Sequence, residues 1–120
     1  MPVVYAPDAP QPGASRNPRG AHGDELVIAS GQNAGTRFEL GKETTSAGRH
    51  ENSDLLLDDV SVSRHHAVFT RTASGRITLR DLNSLNGTYV NGARVEETTL
   101  HSADEVQIGK FKLVFWEAAL

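Results

Sequence analysis

The amino-acid sequence predicts an all-β fold, an antiparallel sandwich of many short strands, preceded by a disordered tail. Three observations carry this expectation. No stretch sustains the apolar period of a helix, the apolar runs are short and end at glycine turn signals, and every proline lies within the first 18 residues. Pro2, Pro7, Pro10, Pro12 and Pro18 are interspersed with Gly13, Gly20 and Gly23, and no proline follows Asp24. So abrupt a change of composition places a boundary at residues 21–24, with a disordered tail over 1–23 and one folded domain over 24–117.

Within the folded unit the strands follow in order. Residues 25–30 end at Gly31, 36–40 at Gly41 and 43–47 at Gly48. Residues 55–57, 67–71 and 77–81 come next, the last two separated by a Ser74-Gly75 turn. Phe69 alternates with Val68 and Thr70, and Ile77 and Leu79 with Thr78 and Arg80, the period of half-buried strands. Residues 88–90 and 94–95 flank Asn91-Gly92, the favoured pair for a tight hairpin. Residues 106–108 and 112–115 close the unit around Gly109. A sandwich of this kind gathers its loops at its ends, on a rigid frame, where binding chemistry usually resides.

Composition excludes several function classes. The net charge is −3 and there is no Lys/Arg-rich run, so the electrostatic footprint of a nucleic-acid binder is missing. Four Phe, two Tyr and one Trp are too few for the stacking platform of a single-strand binder. No apolar run is long enough to span a membrane, and the start does not read as a signal peptide. Without cysteine there is no disulfide framework, which fits a cytoplasmic location. The adjacent His65 and His66 lack ordinary ligand spacing, so no metal is expected, and no cofactor. Ser63 and His66 with Asp58 or Asp59 resemble a hydrolase set only superficially, because no nucleophile elbow or oxyanion hole accompanies them.

Three loop segments bring together the chemistry of an anion clamp. Gly48-Arg49, Ser63-Arg64-His65-His66 and Ser84-Leu85-Asn86-Gly87-Thr88 supply two guanidinium groups, hydroxyls, imidazoles and a side-chain amide. A phosphate monoester offers about −1.5 to −2 charges and three strong acceptor oxygens. The planar fork of arginine suits it, and a serine hydroxyl adds a further bond. An amide, carrying donor and acceptor together, suits the backbone of an extended peptide.

Gly48-Arg49, Ser63-x-x-His66 and Asn86-Gly87 match, in order and spacing, the signature of the forkhead-associated (FHA) family, which the chain resembles from Asp24 to Trp116. The resemblance implies a non-enzymatic module that binds phosphothreonine peptides and mediates protein–protein interaction in Ser/Thr kinase signalling. It implies that Arg49 pairs with the phosphate, joined by the Ser63 hydroxyl and Arg64, while Asn86 holds the peptide backbone. Ser84 and Leu85, with Ser61 and Val62, would shape the pocket for the threonine methyl or read flanking residues. Gly48, His66 and Gly87 would brace the loops; His50, His65 and His101 would be plain surface residues.

Longer strings, Thr44 to His50, Leu57 to Arg64 and Asp104 to Phe111, are similar to a branch of the family found in actinobacteria. Those small regulators consist of a tail and one FHA domain and act under Ser/Thr kinases on enzymes of 2-oxoglutarate and glutamate metabolism. The implied partners are phosphothreonine-containing proteins, Ser/Thr protein kinases and such enzymes, met by a monomer. The branch carries a threonine-rich kinase site in its tail, whereas no threonine precedes Thr36 here. The similar string Glu43-Thr44-Thr45-Ser46 lies in an expected strand. A self-inhibitory tail is therefore not expected. A second function class uses the same loop face without phosphate, as an interaction domain that inhibits a metabolic enzyme.

Overall fold

Alternation of apolar and polar residues decides which face of each strand turns inward. The computed structural model describes residues 3–5, 23–31 and 33–118. Among these residues the strands are β1 (Val3–Tyr5), β2 (Glu25–Ile28), β3 (Arg37–Glu39), β4 (Thr44–Gly48), β5 (Leu55–Leu57) and β6 (Ala67–Arg71). They continue with β7 (Ile77–Asp81), β8 (Thr88–Val90), β9 (Ala93–Val95), β10 (Glu97–Thr99), β11 (Glu105–Ile108) and β12 (Phe111–Trp116). No helix occurs among the described residues, and so none that could cross a membrane.

Two sheets form the sandwich, in the orders β1-β5-β4-β6-β7-β10 and β3-β2-β12-β11-β8-β9. Along β12, Phe111, Leu113 and Phe115 are buried while Lys112 faces solvent; along β6 and β7, Ala67, Phe69, Ile77 and Leu79 turn inward. These side chains meet Leu26, Ile28, Leu55, Leu57, Val106 and Ile108 in one continuous core. Burying each large aliphatic or aromatic side chain contributes about 1.5–3 kcal/mol, which is what sets the register. Asp24, at the entry to β2, accepts bonds from Arg71 Nη1 and Ala118 N, both 2.6 Å, and so ties the two ends of the folded unit together.

Most neighbours are antiparallel, but β5 runs parallel to β4, with Ala47 opposite Leu55 and Gly48 opposite Leu56. Parallel neighbours ordinarily need a long crossover. Here the ladder covers two residues, so the loop 49–54 suffices. Both strands therefore point at the same end of the sandwich. The loops 58–66 and 82–87 emerge there too, because β6 and β7 are antiparallel to their neighbours. The β11–β12 turn joins them: Lys110 N donates to Ser61 Oγ at 2.9 Å.

The hairpin expected at Asn91-Gly92 joins β8 to β9 with positive φ at both positions (52° and 85°), as such a turn requires. Two strands go beyond the sequence reading. β10 pairs with β7, Glu97 opposite Arg80, although no turn residue sets it apart from β9 and Glu-Thr-Thr is an unremarkable string. The exposed edge of β7 decides that pairing, not local propensity. Val3-Val4-Tyr5, expected to belong to the tail, pairs parallel with Leu55–Leu57. Tyr5 lies opposite Leu57, at the loop end. Met1, Pro2 and residues 6–22, the remainder of the expected tail apart from Gly23, lie outside the described residues.

Candidate functional site

The backbone builds the site by carrying the β4–β6 ladder past its last regular pair. His66 N donates to Ala47 O (3.1 Å), Arg49 N to Ser63 O (3.0 Å) and His50 N to Arg64 O (3.0 Å). This brings Arg49 against Ser63 and Arg64 although the chain separates them. The close approach demands Gly48, because a Cβ there would sit 2.2 Å from Arg64 O. Arg49 Nε donates to Val62 O at 3.1 Å, and the terminal guanidinium nitrogens make no hydrogen bond among the described residues. Arg49 and Arg64 are exposed and have no ion pair among the described residues. By contrast Arg71 and Arg76, away from this end, are paired with Asp24 and Glu117.

The third loop is bonded to the second. Leu85 N donates to Ser63 Oγ at 2.9 Å, and Asn86 Nδ2 donates to Ser61 O at 3.0 Å. The Ser63 hydroxyl keeps its proton and one lone pair for a ligand. Asn86 keeps its carbonyl oxygen and a second amide hydrogen, and it is exposed.

Beneath this surface His66 is fully buried and bridges the two loops. Its Nδ1 accepts from Ser63 N (3.0 Å) and its Nε2 bonds Gly87 O (2.9 Å), so the ring is neutral with the proton on Nε2. Burial pushes the imidazole below its ordinary range, against the opposing pull of Gly87 O and Asp81. Gly87 has φ +87°, a conformation that favours glycine.

Asp81, which the sequence reading passed over, shapes the same loop. Its carboxylate accepts from Ser84 N (3.1 Å), Ser84 Oγ (2.5 Å) and Thr88 Oγ1 (2.6 Å). Burial alone would raise this carboxyl, but the Ser84 and Thr88 bonds, with His66 nearby, outweigh it and hold it below the usual range. The signal was present as Asp81-x-x-Ser84 at a strand end, the spacing of an aspartate that caps its own turn.

Two expected contact residues take other places. Ser84 is buried, and its hydroxyl is spent on Asp81 and on accepting Gly87 N at 3.0 Å, so it holds the loop and does not face a ligand. Val62 belongs to the core. Leu85 is 86% exposed, and Val60, not singled out in the sequence, is 90% exposed. Both stand on the loops that border Ser63. His50 and His65 are more than isolated surface residues: their rings stack 5.0 Å apart, and His50 Nδ1 accepts Asn52 N. Ser61 donates to Asp59 while accepting from Lys110, and the Ser61 bonds hold the Asp59 carboxyl below its ordinary range. No group of three or more potential metal ligands occurs among the described residues.

Comparison with known proteins points the same way. Residues 45–109 match the family model of the FHA domain. The chain is 58% identical over 90 residues to the glycogen accumulation regulator GarA of Mycolicibacterium smegmatis, covering 75% of this chain and 56% of that protein. It is 56% identical over 92 residues to the oxoglutarate dehydrogenase inhibitor of Corynebacterium diphtheriae, covering 77% of this chain and 64% of the inhibitor. The chain thus spans somewhat over half the length of these relatives. An FHA domain solved in a study of phosphothreonine-dependent FHA interactions superposes with a TM-score of 0.74 at 30% identity, covering 82% of this chain and 99% of that one. Mycobacterium tuberculosis EmbR, solved with a low-affinity phosphopeptide, gives 0.73 at 31% identity over 82% of this chain and 25% of its own. An all-strand sandwich with Gly48-Arg49, Ser63-x-x-His66 and Asn86-Gly87 gathered at one end, matched along residues 45–109, belongs to the forkhead-associated family.

Proposed function

We propose that the loop end is a clamp for phosphothreonine peptides and that the chain is a binding module, not an enzyme. The observation that carries this reading is a pair of exposed, unpaired guanidinium groups, Arg49 and Arg64, held by the backbone beside the Ser63 hydroxyl. In this reading the arginines neutralise the phosphate and Ser63 supplies a directed bond. Asn86, anchored through Ser61 O, holds the peptide backbone with its free carbonyl and amide hydrogen. Gly48, His66 and Gly87, together with Ser84, keep the loops in place. Leu85 contacts the ligand.

The partners in this reading are phosphothreonine-bearing proteins made by Ser/Thr kinases, including enzymes of 2-oxoglutarate metabolism, the class named in the inhibitor relative. The test is calorimetric titration with a phosphothreonine peptide, its phosphoserine twin and the unphosphorylated sequence. The phosphothreonine form should bind at roughly micromolar Kd, about −8 kcal/mol, the others far more weakly. Equal affinity for all three would refute the reading.

One observation favours a second use of the same face. Val60 and Leu85 leave two large aliphatic side chains in solvent beside the clamp. A folded enzyme surface could cover them without any phosphate, as an inhibitor would. Binding of an unphosphorylated partner that is lost in Val60→Asp but kept in Arg49→Ala would favour this mode.

A further inference from the structure

A third unneutralised cation stands beside the clamp, on a strand that the clamp does not use. Arg94, in β9, pairs across the hairpin with Tyr89 and folds its side chain back over Gly87. A Cβ on Gly87 would lie 2.9 Å from Arg94 Nε, 3.1 Å from Cζ and 3.3 Å from Cδ. This cover accounts for the burial of Gly87 in a surface loop, although Arg94 itself is exposed. The guanidinium is thereby held against the residue next to Asn86.

Arg94 has no ion-pair partner among the described residues. The pairs there involve Arg37, Lys42, Arg71, Arg76 and His101. Glu96 and Glu97 lie close in sequence, yet neither joins it. Glu97 is carried into the other sheet opposite Arg80, and Glu96 contributes its carbonyl to Asp81 N. An arginine whose stem rests on a glycine has less freedom to lose when its planar fork takes a carboxylate.

We propose that Arg94 reads an acidic side chain of the bound peptide, so that the preferred ligand is a phosphothreonine flanked by Asp or Glu. The proposal rests on the phosphopeptide reading above and specifies which ligands that site selects. Asn86 and Gly87 have Cα atoms about 3.8 Å apart, and an extended peptide advances about 3.3 Å per residue. A carboxylate reaching Arg94, which lies over the chain neighbour of Asn86, therefore belongs to a residue near the phosphothreonine. An exposed arginine–carboxylate pair should improve Kd by about two- to fivefold, enough to rank ligands without replacing the phosphate as the main determinant.

The test titrates the full chain with phosphothreonine peptides carrying Asp, Ala or Lys at each of three positions on either side, together with the unphosphorylated Asp peptides. At one or more positions the wild type should bind the Asp phosphopeptide about two- to fivefold more tightly than its Ala twin, and the Lys peptide more weakly. Arg94→Ala should lose the Asp-over-Ala preference, and Arg94→Glu should favour Lys. An Asp preference that survives in Arg94→Ala, or no preference at any position in wild type, overturns the proposal. If the Ala phosphopeptides also fail to bind wild type, the phosphopeptide reading has failed and the Arg94 proposal falls with it.

Discussion

Replacing His66 with alanine should unfold the site from below, and the size of the effect can be worked from its bonds. The ring accepts Ser63 N and donates to Gly87 O, and it is fully buried. The substitution leaves both backbone groups without their side-chain partner beside a fully buried position. An orphaned buried donor or acceptor costs about 1–3 kcal/mol, so the pair costs about 2–6 kcal/mol before any cavity is counted. Taking about 3 kcal/mol, and about 4–8 °C per kcal/mol for a domain of this size, the melting temperature falls by about 12–24 °C. Differential scanning calorimetry at pH 7, with urea unfolding as a second measure, reads this directly. Arg49→Ala is the control: the side chain is exposed, it bonds a single carbonyl, and the variant should melt within a few degrees of wild type. A His66→Ala protein that melts within about 3 °C of wild type would refute the bridging role, since two orphaned buried groups cannot be that cheap.

Further outcomes follow from the same geometry. Arg49→Ala and Ser63→Ala should each weaken phosphothreonine-peptide binding by about ten- to a hundredfold, the range for a bond to a charged group, with little change in melting temperature. Because the His66 imidazole is held below its ordinary range, its neutral form stabilises the fold fully above the unfolded value of about 6.5, and that stability is lost as pH falls toward the folded value. Urea midpoints should therefore drop between pH 7 and 5, and His66→Gln should flatten that slope; an equal slope in both proteins would count against it. Asp81, also held low, adds a second loss that begins only as pH falls below about 4, and Asp81→Asn should remove it from an acid titration followed by circular dichroism. Treatment with a Ser/Thr kinase should leave the amide spectrum around Arg49, Ser63 and Asn86 unchanged whether or not residues 1–23 are present, because residues 1–35 hold no threonine and Thr44 and Thr45 are paired with β6. Shifts there that depend on the tail would show a self-inhibitory switch.

Features governed by local chemistry were legible in the sequence itself. Asn91-Gly92 had to turn with both residues at positive φ, and Ile77, Leu79 and Phe69 had to face inward, because turn preference and period-two burial act over a few residues. The Gly-Arg, Ser-x-x-His and Asn-Gly strings likewise mark the family. What the tertiary structure decided depends on groups far apart in the chain. Nothing local shows that His66 reaches Gly87, 21 residues on, or that Ser84 turns its hydroxyl down to Asp81 and away from the surface. The edge strands β1 and β10 form because neighbouring strands offer unpaired backbone groups, a demand invisible in Val-Val-Tyr or Glu-Thr-Thr alone. Arg94 is one of several arginines in the sequence; only the β8–β9 hairpin, which lays it across Gly87, places its charge beside Asn86.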